Sequence, residues 1–261
     1  MSLFRLAWAH FRIGAMNELQ YRVNLVVQVF QSALAVATGL VGLWLVFSQT
    51  DDLVGWGAPE LLAVMGVHIA MGGVIQMVIE PNMAKLMDDV RRGTLDYVLT
   101  KPADSQALVS MREVRIWSFV DVVVGAIVLG VAVVNLERSV GWIDAAGFAA
   151  ALLLGAIMIY CFWLILTTTA FRLVRVENIL ELFQGVYQAG RWPVAIYPFW
   201  LRTSLTFLVP LAFAITVPAE SLTSRLTPGT FVLASSFTAA LLIVTRIVWR
   251  VGLRYYSGAS A

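Results

Sequence analysis

The sequence predicts an all-α integral membrane protein of six transmembrane helices, and three observations carry that prediction. Of its 261 residues 60% are hydrophobic and only 13% charged, where an ordinary soluble domain is about 25% charged. Six stretches of roughly 17 to 27 residues hold no Lys, Arg, Asp or Glu, or one near an end, which is the helix length that a bilayer core of about 30 Å demands. The basic residues then fall almost entirely on one side of those stretches. A disordered chain is excluded by the 14 Phe, 9 Trp and 7 Tyr, since disordered chains lack the apolar surface to collapse.

Residues 1–22 are expected to lie on the membrane as an amphipathic interfacial helix, ahead of a membrane domain spanning residues 23–261. Leu3, Ala7, Phe11, Ala15 and Leu19 recur every four residues, with Arg5 and Arg12 to one flank, as an interfacial helix arranges them. Leu6 and Ile13 lie off that stripe. Arg5, Arg12, Glu18 and Arg22 also interrupt this stretch, so it does not read as a cleavable signal. The first span runs about Val23 to Phe47 and is closed by an acidic, Gly-containing loop, with Trp44 and Trp56 at the boundary. The second, about Leu61 to Ile79, is charge-free apart from His68 and ends at Glu80-Pro81. A mostly polar segment, 80–116, follows and is the longest hydrophilic stretch of the chain.

The third span covers about Trp117 to Leu136, and a tight loop with Glu137, Arg138 and Asp144 leads to the fourth, about Ala145 to Phe171. From 176 to 202 an apolar stripe of Ile179, Leu182, Phe183, Val186 and Tyr187 runs beside Glu177, Glu181, Gln184 and Gln188. This pattern reads as an amphipathic segment at the interface. The fifth span, about Thr203 to Val217, is short and carries Pro210 and Pro218. It is expected to be kinked or re-entrant, as neighbouring helices permit. The sixth runs about Pro228 to Trp249. With the N-terminus cytoplasmic, all of the 18 basic residues except Arg138 and Arg225 lie on or beside cytoplasmic segments. The positive-inside rule therefore predicts both termini in the cytoplasm and an even number of spans.

Catalytic chemistry finds no foothold in this pattern. His10 and His68 are far apart, no H-E-x-x-H occurs, and the pairs Asp51-Asp52 and Asp88-Asp89 lie in loops on opposite sides, so no metal or paired-carboxylate site is expected. Nucleic acid is not an expected partner at a net charge of +2. His68 is the one ionisable group well inside a span and reads as a neutral, hydrogen-bonded packing residue, although intramembrane ionisable groups are functional candidates by default. Asp121 lies one turn into the third span, within expected reach of Arg115 or Trp117. Cys161 reads as a small core or lipid-facing hydrophobe. The small-residue row Gly147, Ala151 and Gly155, with Gly39, Gly42, Gly72 and Gly73, reads as helix packing. Thr167, Thr168 and Thr169 are expected to return their hydroxyls to the preceding turn.

The informative segment is Glu80 to Pro102, EPNMAKLMDDVRRGTLDYVLTKP. Asn82 can cap a short helix whose apolar face is Met83, Leu86, Met87 and Val90 and whose charged face is Lys85, Asp88, Asp89 and Arg92, with Gly93 as its stop. Thr94 then starts a second turn of Leu95, Val98 and Leu99, ended before Pro102. A short amphipathic helix with mixed charge on the cytoplasmic face suits docking into a cleft of a soluble partner. It suits equally a solvated helix packed on its own bundle.

The run from Asp88 to Pro102, with Arg91, Gly93, Thr94, Leu95, Leu99 and Pro102 in an R-x-G-T-L-x-x-x-L-x-x-P arrangement, resembles the loop between the second and third spans of type-2 ABC transporter permeases. The resemblance extends to Tyr21-Arg22-Val23-Asn24 after the first helix and to the late Pro-containing runs at Pro193, Pro198, Pro210 and Pro218. It is nearest to a subgroup of small permeases of about this chain's length. It implies a permease subunit, expected to export a lipid-linked, amphiphilic or drug-like molecule because most type-2 relatives export, with import left open as the alternative. It implies that the segment from Met83 through Leu95 (Met83, Leu86, Met87, Asp88, Asp89, Val90, Arg91, Arg92, Gly93, Thr94 and Leu95) is a coupling helix touching a cytoplasmic ATPase. Two such ATPase subunits and a second permease, the same or a similar chain, are the implied partners in the inner membrane. No G-x-x-x-x-G-K-[ST] loop is present, so ATP and Mg are expected on the partner ATPase and no cofactor on this chain. The competing readings are a non-transporting membrane scaffold and a membrane-embedded enzyme.

Overall fold

The computed structural model describes residues 22–136, 140–169 and 179–256. The interfacial helix expected over residues 1–22 falls outside the described residues, Arg22 excepted. Among the described residues the chain is helical throughout, with no β-strand and one isolated bridge between Leu53 and Trp56. Five helices are long and apolar enough to cross a membrane, or six when a bent pair is counted as one span.

The first span is α1 (Arg22–Phe47). The second, α2 (Ala58–Val74), opens with Pro59 in its first turn, and Glu60 Oε2 accepts the orphan N–H of Gly57 at 2.9 Å. It does not end at Ile79. A π-helical turn over Ile75–Ile79 carries it directly into α3 (Glu80–Arg92), giving a continuous helix of 35 residues and about 52 Å at 1.5 Å per residue. Two short helices follow, α4 (Asp96–Leu99) and α5 (Ser105–Val109). The third span is a 3₁₀ turn, Ile116–Ser118, running into α6 (Phe119–Asn135), and the fourth is α7 (Trp142–Thr169).

Next comes α8 (Ile179–Gln188), and the fifth span is a bent pair. Its first limb is α9 (Phe199–Thr203) extended by a π turn over Ser204–Leu208, and its second is the π turn Ala212–Thr216 followed by α10 (Val217–Leu222). The limbs meet at 77°. The break follows from Pro210: it offers no N–H, and it drives Val209 to extended backbone (φ −118°, ψ 94°), as a residue before proline must be. The final span is α11 (Pro228–Leu253), whose N-cap Thr227 accepts from the Thr230 N–H.

The central helix is α2, buried along most of its length and packed on α6 and α7. Its closest contact is with α6, where glycines let backbones touch: a Cβ on Gly125 would lie 2.5 Å from the Ala70 nitrogen, and one on Gly73 2.8 Å from the Val122 nitrogen. Gly155 of α7 plays the same part against Ala214, at 2.5 Å from its Cα. These are the small-residue approaches by which helices associate in lipid. The expected hydroxyl back-bonds are present, from Thr167 to the Trp163 carbonyl at 2.9 Å and from Thr168 to Leu164 at 2.6 Å. In contrast, α1 and α11 turn Val23, Val26, Phe30, Ile243 and Ile247 outward, faces that a bilayer, not water, accommodates.

Opposite ends of the bundle are tied differently. At one end Arg225 donates to both carboxylate oxygens of Glu60, at 2.9 and 2.7 Å, and to the Gly55 carbonyl at 2.5 Å, while its guanidinium sits 4.7 Å over the Trp56 ring. At the other, Arg246 of α11 clasps Asp104, the N-cap of α5, and Trp249 Nε1 donates to Ser105 Oγ at 3.2 Å.

Candidate functional site

The segment expected to be a separate, Asn82-capped helix is instead the end of the second span, and Pro81 explains how. Proline has no N–H, so the carbonyl four residues earlier, Met77, loses its intrahelical partner. The Arg115 backbone N–H supplies it at 2.9 Å from the returning chain. Asn82 is fully buried and fastens the same return: its Nδ2 donates to the carbonyls of Val78 (2.6 Å) and Glu113 (2.8 Å), while its Oδ1 accepts from the N–H groups of Arg112 (2.7 Å) and Glu113 (3.0 Å). All four hydrogen-bonding positions of the amide are used. Arg115 also donates to Glu80 at 3.2 Å. Helix and return segment are thus one clamped elbow.

The end of α3 is fixed by a second set of bonds. Gly93 adopts a left-handed conformation (φ 69°), its N–H reaching Val90 O while the Thr94 N–H reaches Asp89 O at 2.8 Å. That is the Schellman stop for which glycine is suited. Asp89, 4% exposed, accepts from Arg112 Nη1 at 2.6 Å and Thr94 Oγ1 at 3.0 Å and pairs with Lys85 at 3.1 Å.

The eleven residues expected to form the coupling segment divide accordingly. Met83, Leu86, Asp89 and Leu95 are buried within this chain, Met83 receiving the Thr167 hydroxyl on its sulfur. Met87, Asp88, Val90, Gly93 and Thr94 are half-buried, and Arg91 and Arg92 are exposed, both bonded to Asp88. Tyr97, 76% exposed, extends this surface beyond the residues the sequence singled out. Its place in the R-x-G-T-L-x-Y run was the available signal.

A second feature was not legible at all. A cavity of about 260 Å³ opens between α1, α2, α6 and α8, its walls carrying Gln28, Ser32, His68, Gln76, Asp121 and Tyr187. Asp121 is served neither by Arg115 nor by Trp117. Its carboxylate accepts from Gln28 Nε2 at 2.7 Å and from Ser32 Oγ, both on α1. His68 is buried and packed as expected, its ring stacked on Tyr187 at 4.5 Å between centroids, but the expected side-chain hydrogen bond is missing at Nδ1, which has no partner among the described residues. Tyr187 instead donates its hydroxyl to the His68 carbonyl at 2.6 Å. Phe183 packs on Phe162 and Trp163. His68 stands at the middle of the second span, so α8 inserts its aromatic face into the bundle at that depth, where the sequence suggested an interfacial position. Burial of Phe183 and Tyr187 against rings is what draws it in.

Among the described residues no group of three His, Cys, Asp or Glu could hold a metal. Cys161 is buried. The spans, the glycine-mediated packing and the clamped elbow together define a multi-pass helical membrane protein. A family model described as ABC-2 family transporter protein matches residues 33–260, and the chain belongs to that family. It is accordingly a membrane component of ABC transport, of the permease type. No curated protein and no solved structure matches the chain.

Proposed function

We propose that this chain is the permease subunit of an ABC exporter moving a lipid-like, amphiphilic or drug-like molecule across the cytoplasmic membrane, driven by ATP hydrolysed on two separate ATPase subunits. A second permease, the same or a similar chain, completes the pathway, and both termini face the cytoplasm. The observation that carries this reading is the continuous helix from Ala58 to Arg92, which connects an exposed polar end, Arg91 and Arg92, to the wall of an interior polar cavity at His68. A displacement imposed on that end by an ATPase is delivered to the cavity by one stiff element, because Asn82 and Arg115 brace the helix at Pro81. Asp88, Arg91, Arg92 and Tyr97 supply the contacts, while Met83, Leu86, Asp89 and Leu95 hold the elbow's shape from inside.

The test is gentle-detergent purification of the tagged chain from its native host, with identification of what accompanies it and an assay of ATP hydrolysis. Co-purification of an ATPase, with or without a second permease, is the expected result. A chain recovered without any ATPase, and without hydrolysis, overturns the reading.

A further inference from the structure

We propose that the cavity between α1, α2, α6 and α8 binds an organic cation, with the Asp121 carboxylate as its counter-ion. The inference rests on the transport reading above and gives it a substrate class: a molecule carrying a substituted ammonium or similar cationic nitrogen beside an apolar portion.

Asp121 is the first reason. A carboxylate inside a span is costly and is retained where it meets a partner or a functional pathway. Its two partners, Gln28 and Ser32, are neutral donors, and among the described residues no Lys or Arg is paired with it. Of the other charges on the cavity wall, Glu80 accepts from Arg115 at 3.2 Å, while Arg191, like Asp121, is bonded to a neutral partner, Gln188, at 3.2 Å. Among the described residues Asp121 therefore presents a negative charge without an ionic partner, and a ligand group seated against that carboxylate is attracted when cationic and repelled when anionic.

The second reason is independent of that carboxylate. His68 is nine-tenths buried on the same wall, and among the described residues its Nδ1 has no hydrogen-bond partner. Size and lining agree. About 260 Å³ is just under the usual range for ligand pockets, about 300 to 1,000 Å³, and suits a headgroup with a short aryl or alkyl portion. Phe183 and Tyr187 offer aromatic surface, which attracts desolvated cations, and Ala35, Met65 and Ile69 continue the wall with apolar surface.

The experiment uses the full-length chain, in the complex in which it purifies, reconstituted in nanodiscs, and measures equilibrium binding of tritiated benzyltrimethylammonium, with benzenesulfonate as the anionic counterpart of similar size. The expected result is saturable binding of the cation alone, weakened about tenfold or more in Asp121→Asn, as removal of one member of a buried charge pair does. Asp121→Glu should retain most of it. Ala35→Phe, which fills the cavity and leaves the carboxylate in place, should abolish binding and so provides the test should the Asp121 variant fail to fold. Equal binding to wild type and Asp121→Asn, unchanged binding to Ala35→Phe, equal binding of benzenesulfonate, or no binding of the cation would each overturn the proposal. ATPase association is read separately, so its absence sinks the transport reading, while its presence with unaltered Asp121→Asn binding sinks this inference alone.

Discussion

Asp89 and Arg112 lie 23 residues apart and meet at 2.6 Å in the crook of the elbow, their side chains only 6% and 13% exposed. The pair couples the end of α3 to the return segment, and the Arg112 Nε and Nη2 atoms beside it are buried without partners among the described residues. Removing the carboxylate therefore strands a buried guanidinium. Asp89→Ala should destabilise the chain by about 3 kcal/mol, read as a lowered unfolding temperature in detergent. Arg112→Ala should cost much less in the Asp89→Ala background than in wild type, because the two act as a unit. Additive losses would show that the pair is not coupled.

Two glycines of α6 separate packing from propensity. A Cβ on Gly125 would lie 2.5 Å from the Ala70 nitrogen, whereas one on Gly130 meets nothing within 4 Å. Both substitutions to alanine gain helix propensity, worth up to about 1 kcal/mol, but only Gly125→Ala forces α2 and α6 apart, at a cost of about 1 to 3 kcal/mol. Gly125→Ala should thus lower the unfolding temperature and broaden the size-exclusion peak, while Gly130→Ala should do neither. Equal behaviour of the two would remove the close approach from the account of how these spans associate.

The parts of this fold legible in the sequence are those determined within one helix. Apolar runs marked the spans, Pro210 marked the bend, and Thr167 and Thr168 found carbonyls one turn back. What escaped was determined between segments. Pro81 reads locally as a helix boundary, and only the Arg115 N–H, 34 positions along, lets the helix continue through it. Asn82 has the composition of a cap, yet its amide is consumed by residues 112 and 113 of the return segment. Gln28 and Ser32 are unremarkable polar residues of the first span until α6 brings Asp121 against them. The run from Met83 to Leu95 stood out as a motif, but the motif could not say which of its residues face inward. Burial of Met83, Leu86 and Leu95 depends on α7 and the elbow, which no local pattern encodes.

The corner between α5 and α11 responds to acid. Arg246 bonds both carboxylate oxygens of Asp104, with Nη1 at 3.1 Å from Oδ1, and also reaches Gln106 at 2.9 Å. The Arg246 hydrogen bonds hold the Asp104 carboxyl below its usual value. A carboxyl depressed in the folded state contributes stability above its unfolded value, about 3.9, and loses it as pH falls through the folded value. The pair is more than a third exposed, so solvent screening limits its worth to below about 1 kcal/mol. Asp104→Asn should therefore unfold slightly earlier than wild type at pH 7, and the gap should close below about pH 4. A gap that widened on acidification would contradict the assignment.

Surface and interior positions of the elbow can be told apart by two readouts on the same complex. Arg92 has a side chain 67% exposed and bonds to Asp88 at 2.8 Å, so reversing its charge touches little within this chain. The variant Arg92→Glu should keep its unfolding temperature, a change within about 0.5 kcal/mol, while losing most of the ATPase expected to co-purify with wild type. The loss should be mimicked in wild type by raising salt, since exposed charges are screened over about 8 Å at physiological ionic strength. Met83→Ala behaves in the opposite sense: a fully buried side chain against Thr167 is truncated, stability falls by about 2 to 5 kcal/mol, and whatever chain remains folded still presents Arg92. If charge reversal left ATPase recovery unchanged while Met83→Ala abolished it at equal amounts of folded chain, the docking surface would lie elsewhere and the end of α3 would be a structural elbow alone.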